Sequence, residues 1–274
     1  MCAVTAIPLA IHAERAAVPL VPAALLLLYQ RLLRAQHALR KLDIHNPDTI
    51  ALVTAAVDLI AGDTLALRQY SVIAELARGA GLRSVLAATK KPAPVAPSGD
   101  TFFGLACGIA AACKQASHKN VVLIVLGKEK PQAVVRAIAT AATYKLPAIF
   151  LSINHIPPRT SRLGPAAYQL HGVPRIAVES SDAIAIYRVA HEALERARVG
   201  YGPAFIDCMR SSIRVDAVEQ LKTRLATMGD WSERHCREIE HQVAAEARLR
   251  RSTLRLELPV HLFPGWEFLR GTRD

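Results

Sequence analysis

The chain has 274 residues, 51% hydrophobic and 21% charged, which is enough apolar material for one large or two small buried cores and excludes a disordered chain. Aromatics make up only 5% while Ala, Leu and Val recur throughout, a balance that suits helices packed on short aliphatic strands rather than an aromatic-rich β-sandwich. Thirty-four Lys and Arg against twenty-three Asp and Glu give a formal charge of +11. That charge favours an acidic partner, a nucleic acid or an anionic membrane surface, or simply reflects a generally basic proteome.

Five cysteines, Cys2, Cys107, Cys113, Cys208 and Cys236, are odd in number and form neither a C-x-x-C pair nor a metal-type spacing, which points to a reducing cytoplasm. The apolar stretch 16–28 is broken by Pro19 and Pro22, whereas a membrane span needs about 20 unbroken apolar residues. The segment before it, with Glu14 and Arg15, lacks the charge pattern and cleavage site of a signal peptide. The expectation is a cytoplasmic protein with no membrane association.

Leu25, Leu28, Leu32 and Leu39 recur at helical spacing, which predicts a helix over 22–41 with a basic outer face of Arg31, Arg34 and Arg40. Asn46 and Pro47 open a second helix, expected to run to about Ile60 and to close at Gly62. A third is expected over 67–77. The segment 90–99, KKPAPVAPSG, is linker-like because prolines forbid helix continuation. A helix of small residues follows over 103–115, able to pack closely against another backbone. VVLIVL over 121–126 and AIFLSIN over 148–154 are continuous apolar runs, the mark of strands buried on both faces of a parallel sheet. A helix over 131–144 joins them into a β-α-β unit with a right-handed crossover. Strands are expected over 175–178 and 204–209, with a helix between them that starts at Ser181 or Asp182 and ends at Arg198 before Gly200. A helical tail over 216–251 breaks near Gly229 and restarts after Ser232. Ligands of open parallel sheets bind at the carboxyl ends of the strands, so 127–130 and 154–159 are the first places to search for a site.

The phrases GLACGIAAACK, VVLIVLG, AIATAATYKLPAIFLSIN, HGVPRIAVESSDAIAIYRVAHEALERARVGYGPAFIDC and DAVEQLKTRLATMGDWSERHCREIEHQVAAEA occur in that order between residues 104 and 251. Their order, lengths and character resemble the alpha subunit of thiamine-diphosphate-dependent 2-oxoacid dehydrogenases of the pyruvate or branched-chain type. LYQRLLRAQ and GDTLALRQYSVIAELARG, near the N-terminus, agree more weakly. The resemblance implies an α/β thiamine-diphosphate-binding fold, a parallel sheet with helices on both faces and a C-terminal helical tail. It implies thiamine diphosphate and Mg²⁺ as cofactors and pairing with a beta-type subunit, or with itself, as a dimer or heterotetramer. It also implies oxidative decarboxylation of a 2-oxoacid, with the acyl group passing to the lipoyl carrier of an acyltransferase component.

The chain departs from the family in its cofactor motifs. The family's Gly-Asp-Gly, whose Asp binds Mg²⁺, corresponds to Gly127, Lys128 and Glu129, so an ammonium stands where the metal-binding carboxylate belongs. Glu129 offers a carboxylate one residue later, in a loop about two residues shorter than the family's. The closing Asn-Asn corresponds to Asn154 and His155, and an imidazole nitrogen suits a transition metal better than Mg²⁺. The resemblance therefore assigns Gly127, Lys128, Asn154 and His155 to the cofactor, Glu129 and Asn154 to the metal, and no catalytic residue. Aligned without gaps, the family's Tyr-Arg-x-His falls on Gln69, Tyr70, Ser71 and Val72, which removes its cations. A Gly-Ser-Met-His segment is replaced by the proline-rich loop, and the loop 210–215 is short.

His171 is read as structural, and His235 and His241, six residues apart on one helix, as a solvated face rather than a metal set. No Gly-x-Ser-x-Gly elbow, P-loop or Gly-x-Gly-x-x-Gly occurs. The basic stretches 31–41 and 248–255 are interleaved with leucines, which favours a solvated or subunit-facing helix over a nucleic-acid surface. Lys128, ahead of the helix over 131–144, is a candidate for some other anion, such as a phosphate. The organisation expected is an N-terminal arm over 1–21, one domain over 22–251 and an extension over 252–274. The expected function is that of a divergent dehydrogenase alpha-type subunit, impaired on its own. The alternatives are a pseudoenzyme that keeps only fold and pairing surface, and a basic polyanion-binding module.

Overall fold

The computed structural model describes residues 21–43, 48–68, 72–82, 85, 99–117, 119–127, 129–153, 170–209 and 216–248. Five strands, β1 (Thr64–Ala66), β2 (Val122–Leu126), β3 (Ala148–Ile153), β4 (Arg175–Glu179) and β5 (Ala204–Met209), form one sheet in the order β1-β2-β3-β5-β4, parallel throughout. The register aligns Ile124 with Phe150, Phe150 with Phe205, and Phe205 with Arg175. Side chains alternate between the faces, so Leu123, Ile149, Leu151 and Ile206 enter one core while Val122, Ile124, Phe150 and Phe205 enter the other. Burial on both faces is why these strands read as unbroken apolar runs.

The first core is covered by α1 (Pro22–Leu42), α2 (Thr49–Ala55), α3 (Val72–Ala77), α6 (Ala183–Arg198), α7 (Ala217–Ala226) and α8 (Asp230–Arg248), and the second by α4 (Asp100–Gln115) and α5 (Pro131–Thr143). The parallel sheet with helices on both faces and a helical tail is thus as expected. The helix α5 carries the chain from β2 to β3, whereas α6 brings it back from β4 to the inner strand β5. The direction of travel reverses and the helix changes face, which is what one crossover hand requires.

The basic face of α1 is solvated only in part: Arg40 is exposed, whereas Arg31 and Arg34 are half-buried. Arg34 grips Glu246 of α8 with two bonds of 3.1 and 2.7 Å, Arg31 donates to the Ala77 carbonyl and Lys41 to that of Ala247. Tyr29 donates to Glu240 at 2.6 Å, and Lys222 of α7 meets the same carboxylate at 2.6 Å. The helix thereby uses Arg34 and Lys41 to fasten the tail and Arg31 to hold the end of α3.

Four elements, α2, β1, α3 and the tail helix α8, differ most from the reading of the sequence. The helix expected to reach Ile60 ends at Ala55, because the chain must turn over 56–63 to enter β1. Residues 64–66, left without an element, form β1, and the helix expected over 67–77 starts at Val72. The tail restarts at Asp230, directly after Gly229 at φ 105°, rather than after Ser232. Asn46, Pro47, the linker 90–98, the loop 210–215 and the arms 1–20 and 249–274 lie outside the described residues.

Candidate functional site

The candidate site starts from a buried anchor at the opposite edge of the sheet. Asp63 precedes β1, and its carboxylate, fully buried, accepts the Val121 N–H at 2.8 Å, the Ile60 N–H at 2.9 Å and the Arg198 guanidinium at 2.6 Å. These bonds fix the amino end of β1 beside that of β2. Three residues later the chain leaves β1 at the carboxyl edge, which delivers Arg68 next to the end of β2.

There Glu129 turns back on the strand it follows. Its Oε2 accepts the Gly127 N–H at 2.5 Å, and its Oε1 lies 3.5 Å from Arg68 Nη1. The Glu129 side chain is 1% exposed and that of Arg68 37%, so a buried carboxylate meets a guanidinium with one side in solvent. A Cβ on Gly127 would come within 3.3 Å of Glu129 Oε1, so glycine leaves the carboxylate room to fold back. Among the described residues Glu129 Oε1 and Arg68 Nε find no hydrogen-bond partner, which leaves their compensation there to charge.

Of the residues singled out in the sequence, the structure thus unites Gly127 and Glu129, while Lys128, Asn154 and His155 lie outside the described residues. Arg68 was missed because β1 was missed and residues 67–77 read as one helix. A signal was present: reading Tyr-Arg-x-His two residues earlier puts its arginine on Arg68 and its histidine on Tyr70. Among the described residues no three His, Cys, Asp or Glu side chains gather as a metal set. The carboxylate at the end of β2, that of Glu129, is already matched by a cation and an N–H. That donor set does not fit Mg²⁺, which demands near-octahedral oxygen ligands.

Residues 88–215 match the family model of the dehydrogenase E1 component. The matched stretch is similar to that family and covers a little under half of the chain. The alpha subunit of acetoin:2,6-dichlorophenolindophenol oxidoreductase from Bacillus subtilis is 31% identical over 120 residues, 39% of this chain and 35% of that protein. The alpha subunit of 3-methyl-2-oxobutanoate dehydrogenase from Mycobacterium tuberculosis is 30% identical over 199 residues, 61% of this chain and 53% of that protein. The chain thus spans about half or less of these relatives' length. A solved transketolase mutant from Pichia stipitis is 15% identical, with a TM-score of 0.45, covering 82% of this chain and 46% of its own.

The E1 region contains α4, α5 and α6, strands β2 to β5 and the Gly127 and Glu129 positions, but Arg68 enters from outside it. Within the region Asp207 of β5, 5% exposed, pairs with Arg175 of β4. The helices α4 and α5 flank a groove of about 740 Å³ floored by Cys107 and Ala137 and edged by the Asp100–Arg136 ion pair. The helix of small residues therefore packs against α5 and β2 on one side and keeps Gly104, Gly108 and Ala111 exposed on the other.

The remaining titratable groups read as structural. His191 Nδ1 lies 2.6 Å from Asp58 on the amino-edge side of α6, and burial, with Asp58 beside it, pushes the Tyr187 phenol up to about 12. Burial raises the Cys107 thiol to about 11, and burial with Asp207 raises Cys208 to about 12, so neither is a thiolate near neutral pH. Cys107, Cys113, Cys208 and Cys236 are free. His171 is exposed in a turn, at φ 47° before Gly172 at φ 81°. Among the described residues no helix is long and apolar enough to cross a membrane.

Proposed function

We propose that the chain is a divergent alpha-type subunit of a 2-oxoacid dehydrogenase-like assembly, impaired in catalysis on its own. The family chemistry is oxidative decarboxylation of a 2-oxoacid with transfer of the acyl group to the lipoyl carrier of an acyltransferase. The beta-type subunit is the partner, in a heterotetramer, and thiamine diphosphate is the cofactor of the assembly. The observation that supports this reading is a contrast inside the matched region: residues 88–215 fit the E1 model, while the Glu129 carboxylate faces Arg68 and the sequence has Lys128 where the resemblance implies the metal-binding Asp. The same contrast favours, as a second reading, a pseudoenzyme that stabilises or regulates its partner, since a fold does not carry function once its site residues change. A polyanion-binding role has less support, because Arg31, Arg34, Arg136, Arg175 and Arg198 already have partners within the chain.

The test is co-expression with the beta-type subunit of the same organism. It is followed by assay with pyruvate, 3-methyl-2-oxobutanoate and acetoin, thiamine diphosphate and Mg²⁺, with 2,6-dichlorophenolindophenol as acceptor. The expected result is a stable complex and no dye reduction by the isolated chain. Turnover by the complex, abolished when this chain is omitted, supports the impaired subunit; a complex without turnover supports the pseudoenzyme. Turnover by the chain alone, or absence of any complex, sinks the proposal.

A further inference from the structure

We infer that Arg68 supplies, from within the chain, the positive charge that a divalent cation would otherwise bring to the carboxyl end of β2. This rests on the family resemblance only for the identity of the expected ion, Mg²⁺. A carboxylate buried as deeply as Glu129 persists only with compensation. Here it comes from two sources, the Gly127 N–H on Oε2 and the Arg68 guanidinium facing Oε1 at 3.5 Å. A guanidinium is charged at every accessible pH and is tethered to β1, whereas a bound metal is present only as far as mass action keeps it there. Mg²⁺ approaching Oε1 would meet that guanidinium, and Lys128 and Lys130 flank Glu129 in the chain. Gly127 is part of the device, since a Cβ there would crowd the folded-back carboxylate at 3.3 Å. The edge is therefore closed to the metal by a cation of its own, and its order does not depend on one.

The test is thermal unfolding of the full chain in EDTA and in millimolar Mg²⁺, for the wild type, Arg68→Met, Arg68→Lys and Glu129→Gln. The wild type and Arg68→Lys are expected to melt at the same temperature with or without the ion. Arg68→Met is expected to lose several degrees in EDTA and to regain part of them in Mg²⁺, because the uncovered carboxylate is free to take it. Glu129→Gln is expected to show no response to Mg²⁺. A wild type stabilised by Mg²⁺, or Arg68→Met melting as the wild type does in both conditions, overturns the inference. Should Arg68→Met fail to fold, Mn²⁺ titration of the wild type followed by electron paramagnetic resonance decides. Binding that Glu129→Gln abolishes overturns the inference, and its absence sustains it. The readouts need no partner and no turnover, so a metal-responsive wild type would sink this inference and the impairment with it, while the pairing with a beta-type subunit is read separately by co-expression.

Discussion

Asp63 carries more of the fold than its position in a loop suggests, because one carboxylate serves two backbone donors and the Arg198 guanidinium. Replacing it with Ala leaves Arg198, 10% exposed, without its buried counter-charge and frees the N–H groups of Ile60 and Val121. Loss of one partner of a buried pair costs about 3–5 kcal/mol, far more than the net worth of the pair. Asp63→Ala is therefore expected to lower the urea midpoint by that equivalent with an unchanged slope, and a loss under about 1 kcal/mol would show that the anchor is dispensable. Nothing in the sequence marks this residue as an anchor, since its partners Val121 and Arg198 lie 58 and 135 positions away. Glu129 differs in that regard. Its type and its place after a buried strand were legible, and only the identity of its counter-ion, Arg68, waited for the structure.

At the scale of elements, legibility followed periodicity. The runs that became β2, β3 and β5 and the stretches that became α1, α5 and α6 announce themselves by burial pattern, and Asp182 caps α6 as expected by accepting the Ala185 N–H. The strand β1 does not, because three residues are too few for a period and its hydrogen bonds go to β2, far along the chain. The tail helix shows the same division. Its amphipathic spacing is local, whereas the Tyr29–Glu240–Lys222 junction that holds it joins three helices. Burial works against ionisation of Glu240, but hydrogen bonds from Lys222 and Tyr29 hold its carboxyl below the ordinary value of 4.5. A lowered value means that this stabilisation is complete above the unfolded-state value and is lost as pH falls through the folded one. Glu240→Gln is accordingly expected to melt below the wild type at pH 7, and the gap to close in the acid range below the ordinary carboxylate value. A gap that stayed constant with pH would mean that the ionised form of Glu240 contributes nothing to the junction.

In the molecule as a whole, the first and last described helices close the same core. The helix α1 lies against α7 and α8, and Cys236, Val243 and Ala247 of α8 are buried in the hydrophobic interior. The sheet's other face, under α4 and α5, takes no part in this closure, as its core cluster draws no residue from α1 or α8. The two layers should therefore respond differently to loss of the tail. A chain ending at Gly229 loses the Glu246 and Glu240 partners of Arg34 and Tyr29 and removes Cys236, Val243 and Ala247 from the core. With a large aliphatic side chain worth about 1.5–3 kcal/mol when buried, loss of these apolar contributions together with the two polar partners should cost roughly 3–5 kcal/mol. For a domain of this size that corresponds to a fall in melting temperature of about 10 °C. Amide protons of β2 and β3 should remain protected from exchange because the α4 and α5 layer is intact, while those of α1 should exchange early and the dye ANS should bind. Equal loss of protection on both sides of the sheet would show instead that the tail is needed for the domain to fold at all. An unchanged melting temperature would make α8 an appendage, and the Arg34–Glu246 grip a surface contact of little energetic consequence.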